Sequence, residues 1–333
     1  MDRILHQKVH VGISACMFGA KVRYNGKGWD MVSHIGREKG DFIWHPVCPE
    51  VLAGLGVPRS AIRVAGVSGK EVWDGNSSVL TRGGMNISQH MMAGAMRGME
   101  ALEASQVEAF IYMEGSPSCG VYRTSLKNKR IGKPPGVFGA KLLEKQWFLI
   151  PAQDLQSPVR WWDWRRRLHA FVWLKHMDIE DVATLFEVWH TLKFLCQEID
   201  EKQARDLGSK LAHFSKKTPV EDLQNVKWAI LNILRSPSTV SKIANRLWKH
   251  YVYLRKELDI KVDQIKKPTD VRGMHKIAEE LLLLERIAWK SGTFFASSPI
   301  LYRGNRVAGN KKVVSKAKVD VPEESPEESP EDL

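Results

Sequence analysis

Three of the four cysteines in this 333-residue chain each stand in a short segment of small or turn-forming residues. They are Cys16 in Ser14-Ala15-Cys16-Met17-Phe18-Gly19, Cys48 in Cys48-Pro49-Glu50-Val51, and Cys119 in Ser116-Pro117-Ser118-Cys119-Gly120. Three thiolates are one short of a closed tetrahedral shell, so a metal centre held by three keeps one position for a substrate. Structural zinc sites favour paired Cys-x-x-Cys ligands, and the chain has no such pair. Three readings stay open: a catalytic zinc on three cysteines, unrelated core cysteines, and an iron–sulfur cluster. Small residues favour the cluster, because they let backbone N–H groups approach cluster sulfurs, and Gly19, Ser118 and Gly120 would do so. An iron left open would prefer a soft donor such as sulfur. Cys196, beside Phe194 and Leu195, reads as core, and His45 reads as the packed tail of a strand.

Glu50 lies two residues past Cys48, while Ser116 and Ser118 lie three and one residues before Cys119. A carboxylate and a hydroxyl beside an open metal position can move protons or place water. The same residue types also cap helices and close turns.

The elements that must position these groups are legible in the pattern. Val9 to Ile13, Asp41 to Val47, Val107 to Met113 and Phe148 to Pro151 read as strands, with a Met/Ala-rich helix over Asn86 to Glu103. Gly132 to Gly139 reads as a loop that runs into a helix over Ala140 to Gln146. The alternation predicts an α/β fold, a mostly parallel Rossmann-like sheet with helices on both faces. Ligands of such sheets sit beyond the C-terminal strand ends, where all three cysteine loops would meet. From about Arg160 the chain turns helical: Trp161 to His176, Ile179 to Glu198, Glu201 to Phe214, Pro219 to Ser236, Thr239 to Glu257 and His275 to Trp289. The expected domains are 1–160, 161–302 (all-α), and a basic then acidic disordered tail over 303–333. In that tail Glu-Glu-Ser-Pro occurs twice.

The net charge is +12, although Val321 to Leu333 holds six acids and no base. A surplus of that size points to a polyanionic partner, nucleic acid first. The helical half interleaves cations with aromatics, at Trp161, Trp162, Trp164, Arg165, Arg166 and Arg167, and again at Trp248, Lys249, His250, Tyr251, Tyr253, Arg255 and Lys256. Arg165, Arg166, Arg167, Lys249, Arg255 and Lys256 are the expected RNA contacts. No run of some twenty apolar residues suggests a membrane span. Met1-Asp2-Arg3-Ile4 does not open a secretory signal, and clustered cysteines without one argue for a reducing cytoplasm. Oligomeric state is not readable from the chain.

Residues Val11 to about Phe171 resemble the thiouracil desulfidase family. The resemblance rests on Ile13-Ser14-Ala15-Cys16, Val22-Arg23-Tyr24-Asn25-Gly26, Cys48-Pro49-Glu50-Val51 with Gly54-Leu55-Gly56-Val57-Pro58-Arg59, and Ser116-Pro117-Ser118-Cys119-Gly120. The helical half resembles the YbgA type of domain through Trp189-His190-Thr191-Leu192-Lys193-Phe194-Leu195 and Arg205-Asp206-Leu207-Gly208. It departs from that type at Cys196-Gln197-Glu198-Ile199 and at Lys249-His250-Tyr251-Val252-Tyr253. The combination is similar to TudS-related tRNA 4-thiouridine desulfidases of the RudS type. That resemblance implies a 4Fe–4S cluster on Cys16, Cys48 and Cys119 with one open iron. It also implies Glu50 with a serine, Ser116 before Ser118, as proton carriers, and thiolated tRNA as substrate. The competing readings are a desulfidase of free thiouracil and a non-enzymatic RNA-binding iron–sulfur sensor.

Overall fold

The computed structural model describes residues 1–124 and 134–304. Residues 132–133 of the expected loop, and the expected disordered tail from residue 305 onward, lie outside the described residues.

The chain opens with a short strand β1 (Ile4–Leu5) and then β2 (Val9–Ser14), β3 (Phe42–Val47) and the single turn α1 (Pro49–Leu52). A small antiparallel hairpin follows, made of β4 (Ile62–Ala65) and β5 (Ser78–Thr81) with α2 (Gly69–Trp73) between them. Next come α3 (Ser88–Ala104), β6 (Ala109–Tyr112), α4 (Val137–Glu144) and β7 (Phe148–Pro151). The main sheet runs β3-β2-β6-β7, every neighbour parallel. Register pairs Val9 with Phe42, Ser14 with Val47, Ile13 with Ile111 and Tyr112 with Pro151. Because the strands run one way, β2, β3 and β6 all end at one edge, and the residues that follow them share it. Near-continuous apolar strands such as Ala-Phe-Ile-Tyr in β6 are buried throughout, as helix-covered parallel sheets require. The four expected strands and the α/β class are thus present. The β4–β5 hairpin was not expected from the pattern, since its strands are short and only half-buried.

The helical half consists of α5 (Pro158–Lys175), α6 (Val182–Ile199), α7 (Glu201–Leu211), α8 (Val220–Arg235), α9 (Val240–Glu257) and α10 (Met274–Lys290). Asp181, Asp200 and Thr239 cap α6, α7 and α9 by accepting a backbone N–H three residues on. After α10 the chain returns as β8 (Leu301–Tyr302), which pairs with β1 and ties the two ends of the described chain together. One hydrophobic core runs from β2 and β6 through α5 to α6 and α8; a second fills the space between α5, α9 and α10. No helix among the described residues is long and apolar enough to cross a membrane.

Helix α5 corrects an expectation. Arg166 and Arg167 are fully buried, and Arg165 nearly so, so none of the three presents a free cation to RNA. Arg166 donates to Asp163 Oδ1 at 2.7 and 3.1 Å, to both Glu198 oxygens at 2.5 and 3.1 Å, and to the Ser297 carbonyl at 2.8 Å. Arg167 donates to Asp163 Oδ2 and the Leu234 carbonyl, each at 2.9 Å. Arg165 bridges Glu38 at 2.5 Å and Glu285 at 2.9 Å. The run of three arginines is the polar centre of the joint, not its wet face. Removing one partner from a buried ion pair leaves a charge uncompensated, which costs about 3–5 kcal/mol. Glu198→Ala is therefore expected to lower unfolding stability of the full chain by about 3 kcal/mol. Urea titration would check it, and a loss within error of zero would contradict the account.

Candidate metal and proton-transfer site

Each cysteine loop is built by its own local geometry. After β2 the chain makes a tight turn over Ala15–Met17 that carries Cys16. The hydroxyl of Ser14 accepts the N–H of Met113 at 3.1 Å and ties the end of β2 to that of β6. Cys48 immediately precedes α1, with Pro49 as the first helical residue and Glu50 in the first turn. In the third loop the Ser116 hydroxyl accepts the N–H groups of Ser118 and Cys119, at 3.3 and 3.1 Å. The Glu114 carboxylate accepts those of Tyr122 and Arg123 and closes the loop behind it.

That third loop lies on the start of α4. Val137 N–H donates to the Pro117 carbonyl, and Phe138 and Gly139 N–H donate to that of Ser118, at 3.0–3.2 Å. The approach needs glycine: a Cβ on Gly139 would lie 2.2 Å from the Gly120 oxygen, and one on Gly136 2.6 Å from the Pro117 and Ser118 oxygens. Gly136 and Gly139 were legible as a loop but not as the seat of a cysteine loop.

Cys16, Cys48, Cys119, Glu50, Ser116 and Ser118 all line one cavity of about 270 Å³. Ser118 Oγ donates to Glu50 Oε1 at 2.6 Å, and the Ser116 and Ser118 hydroxyls lie 2.9 Å apart. With the Ser118 proton directed at Glu50, Ser116 is the donor to Ser118. The result is an ordered chain, from half-buried Ser116 through fully buried Ser118 to the carboxylate. The other carboxylate oxygen accepts Arg59 Nε at 2.8 Å and Nη2 at 2.5 Å. Arg59, part of a quoted motif but not singled out as a site residue, orients Glu50. Its signal was the nine-residue spacing within one loop.

All three thiols are pushed above the ordinary cysteine range. Burial is the first cause at each: Cys16 rises to about 12, helped by Cys48 and Glu50 and opposed by Arg23. Cys48 rises mainly through burial. Cys119 rises well above normal through burial, Cys16 and Cys48. The thiols therefore lie near enough to disfavour one another's ionisation. Among the described residues no three His, Cys, Asp or Glu groups converge closely enough for a single metal ion. His45 stays outside the cavity, its Nε2 3.0 Å from His10 Nδ1 in a stacked pair. Cys196 is core, fully buried in α6 with its thiol pushed up to about 12 by burial.

Lys249, Arg255 and Lys256 are exposed on α9, far in sequence from the cavity-lining loops, and have no ion-pair partner among the described residues.

Residues 11–154 match the family model described as 2-thiouracil desulfurase, so the α/β half is similar to that family. The match stops before α5. The uncharacterized protein YbbK of Bacillus subtilis (strain 168) is 28% identical over 150 residues, which take in 44% of this chain and 97% of YbbK. A solved structure described as the [4Fe-4S]-dependent thiouracil desulfidase TudS is 26% identical, over 44% of this chain and 89% of that one, with a TM-score of 0.33.

Overpacking a tight backbone contact costs about 1–3 kcal/mol. Gly139→Ala is expected to destabilise the chain by that amount and to shift the Cys119 loop. Faster alkylation of Cys119 at unchanged helical content would show the shift; wild-type alkylation kinetics would contradict the packing argument.

Proposed function

We propose that the chain is an iron–sulfur-dependent desulfidase that removes sulfur from a thiolated uracil ring. One observation carries the reading: the chain Ser116–Ser118–Glu50–Arg59 opens into the same cavity as three cysteines from three loops. The similarity of residues 11–154 to 2-thiouracil desulfurases supports it.

Burial raises all three thiols, so a compensating cation would favour their thiolate forms, and a metal centre is the usual one. The spacing does not suit a lone ion, whose ligands all lie within about 2.3 Å of one point. A polynuclear centre, in which each cysteine would bind a different iron, does not require the three thiols to meet at one point. Cys16, Cys48 and Cys119 would be those ligands. When bound, the cluster supplies an open iron with affinity for a thiocarbonyl sulfur.

The chain's own residues do the rest. The net change is hydrolytic: water adds oxygen at the ring carbon, the C–S bond breaks, and sulfur leaves as hydrosulfide. Neither ring nor protein changes oxidation state. Arg59 keeps the Glu50 carboxylate aimed at Ser118, so Glu50 can accept a proton relayed from Ser116 and return it to the leaving sulfur. Apolar walls at Val22, Val47 and Ile62 limit water around the reacting carbon.

The finer reading is that the thiolated base belongs to tRNA, with 4-thiouridine as the nucleotide. The net charge of +12 and the unpaired Lys249, Arg255 and Lys256 on α9 support it. A ring inside folded RNA would have to be extruded to enter a cavity of this size. That same size favours a second reading, free thiouracil, which needs neither extrusion nor a cationic surface.

Two measurements test these readings. In anaerobically reconstituted protein, loss of the 4-thiouridine absorbance of bulk tRNA should accompany matching sulfide release, with neither in Cys48→Ala. Glu50→Gln should retain the brown colour and lose about 100-fold or more in kcat. Turnover of free thiouracil alone would move the helical half out of the substrate account. A cluster-loaded protein inactive on both would overturn the enzyme reading and favour a sensor. For the RNA grip, Lys249→Gln with Lys256→Gln should lower the slope of log K against log salt by about two for tRNA. An unchanged slope would remove α9 from the interface.

A further inference from the structure

The excursion between residues 18 and 30 leaves the sheet edge directly after Cys16 and returns beside it. A bridge between Phe18 and Asp30 closes its base, and Trp29 N–H donates to the Cys16 carbonyl at 2.7 Å. Inside it a turn joins Arg23 to Lys27, and Tyr24 is fastened to the neighbouring loop by Arg59 N–H on its carbonyl at 2.9 Å. Gly28 passes so close to Ala20 that a Cβ would lie 2.2 Å from its oxygen. The excursion is therefore held in one shape, yet it leaves Tyr24 44% and Trp29 45% exposed. Large rings held rigidly in water beside a reaction cavity are a prepared contact surface.

A cation lies near both rings. The Arg23 guanidinium is 4.1 Å from the Trp29 ring and 5.9 Å from that of Tyr24, and it has no carboxylate partner among the described residues. Tyr24 and Arg23 line the cavity; Trp29 does not. The surroundings are basic too. Lys21 and Lys27 on the excursion, and Arg63 and Arg82 on the adjoining β4–β5 hairpin, are exposed and unpaired among the described residues. The acids nearby are engaged: Asp30 accepts the Ser33 N–H, and Glu50 is held by Arg59 and Ser118.

We propose that Tyr24, Trp29 and Arg23 form a stacking subsite for a nucleotide adjacent to the reacting base, its phosphate facing the unpaired Lys21 and Lys27 of the same excursion. Aromatic rings interleaved with cations bind single-stranded nucleic acid by base stacking and phosphate neutralisation. A free base would fill the cavity and leave Trp29 bare, so the subsite specifies an extruded or single-stranded polynucleotide. The proposal rests on the desulfidase reading only for the identity of the base that enters the cavity.

The test uses the full chain and a fluorescein-labelled RNA oligonucleotide with one 4-thiouridine, with free 4-thiouracil as the second substrate. In Tyr24→Ala and in Trp29→Ala the Kd for the oligonucleotide, read by anisotropy at fixed salt, should rise about tenfold. Tyr24→Phe and Trp29→Phe should restore it. The ratio of oligonucleotide to free-base kcat/KM should fall in step in the alanine variants. Wild-type affinity in both alanine variants would overturn the subsite, as would equal losses on both substrates. A protein that desulfurises the free base and does not bind the oligonucleotide also overturns it, while the desulfidase reading stands. Ring-dependent oligonucleotide binding without turnover of either substrate supports the subsite and sinks the desulfidase reading.

Discussion

The carboxylate of Glu50 is the point on which the site's geometry depends. It belongs to the loop after β3, accepts from Ser118 in the loop after β6, and is gripped by Arg59 from the loop that also holds Tyr24. A half-buried carboxylate with one oxygen on a hydroxyl and the other on a guanidinium has little freedom to turn. The segment after β3 is thus registered against the loop after β6 by a group that also has the chemistry to move a proton, and the Arg59 N–H on the Tyr24 carbonyl adds the excursion after β2. The Arg59 pair is nearly closed to solvent, so its attraction is weakly screened and its geometry persists when salt is raised.

Rigidity of a different kind comes from α5. Its apolar residues face both cores, while Arg166 and Arg167 sit between them on Asp163 and Glu198. Packed apolar residues could fill that volume with equal or greater stability. The charged network adds direction: Arg166 is satisfied only when α6 and the 297 segment are both in place, and Arg167 also needs the end of α8. The helices of the second half are thereby fixed in orientation against α5, and Arg165 on Glu38 ties α5 in turn to the segment before β3.

Much of this was legible because it follows from period and punctuation. Strands β2, β3, β6 and β7 are apolar runs ended by Gly, Pro or Ser, and the helices of the second half repeat their apolar residues every three or four positions. Convergence of Cys16, Cys48 and Cys119 follows from parallel order alone, since each loop succeeds a strand. What escaped the sequence depends on partners distant in the chain. Arg165, Arg166 and Arg167 look like a cationic patch; Asp163 on the same helix is shared by two of them, and only the distant Glu38, Glu198 and Glu285 complete the pairing of Arg165 and Arg166. Gly136 and Gly139 look like an ordinary loop, and only the carbonyls of Pro117, Ser118 and Gly120 show why no side chain fits.

Burial of those arginines changes how the net charge should be read. A guanidinium locked on a carboxylate inside the core contributes almost nothing to the outer field, and the same holds for Arg59 on Glu50. The surplus that a polyanion would feel therefore lies on exposed, unpaired groups, among them Lys249, Arg255 and Lys256 on α9, Lys21 and Lys27 on the excursion after Cys16, and Arg63 and Arg82 on the β4–β5 segment. The cavity itself, at about 270 Å³, has room for a single small ring, and of its two lining arginines Arg59 is taken up by Glu50. Selection of the ring and capture of a chain that carries it would then be separate tasks, the first for the loops that line the cavity and the second for the excursion at its rim and the cations beyond it.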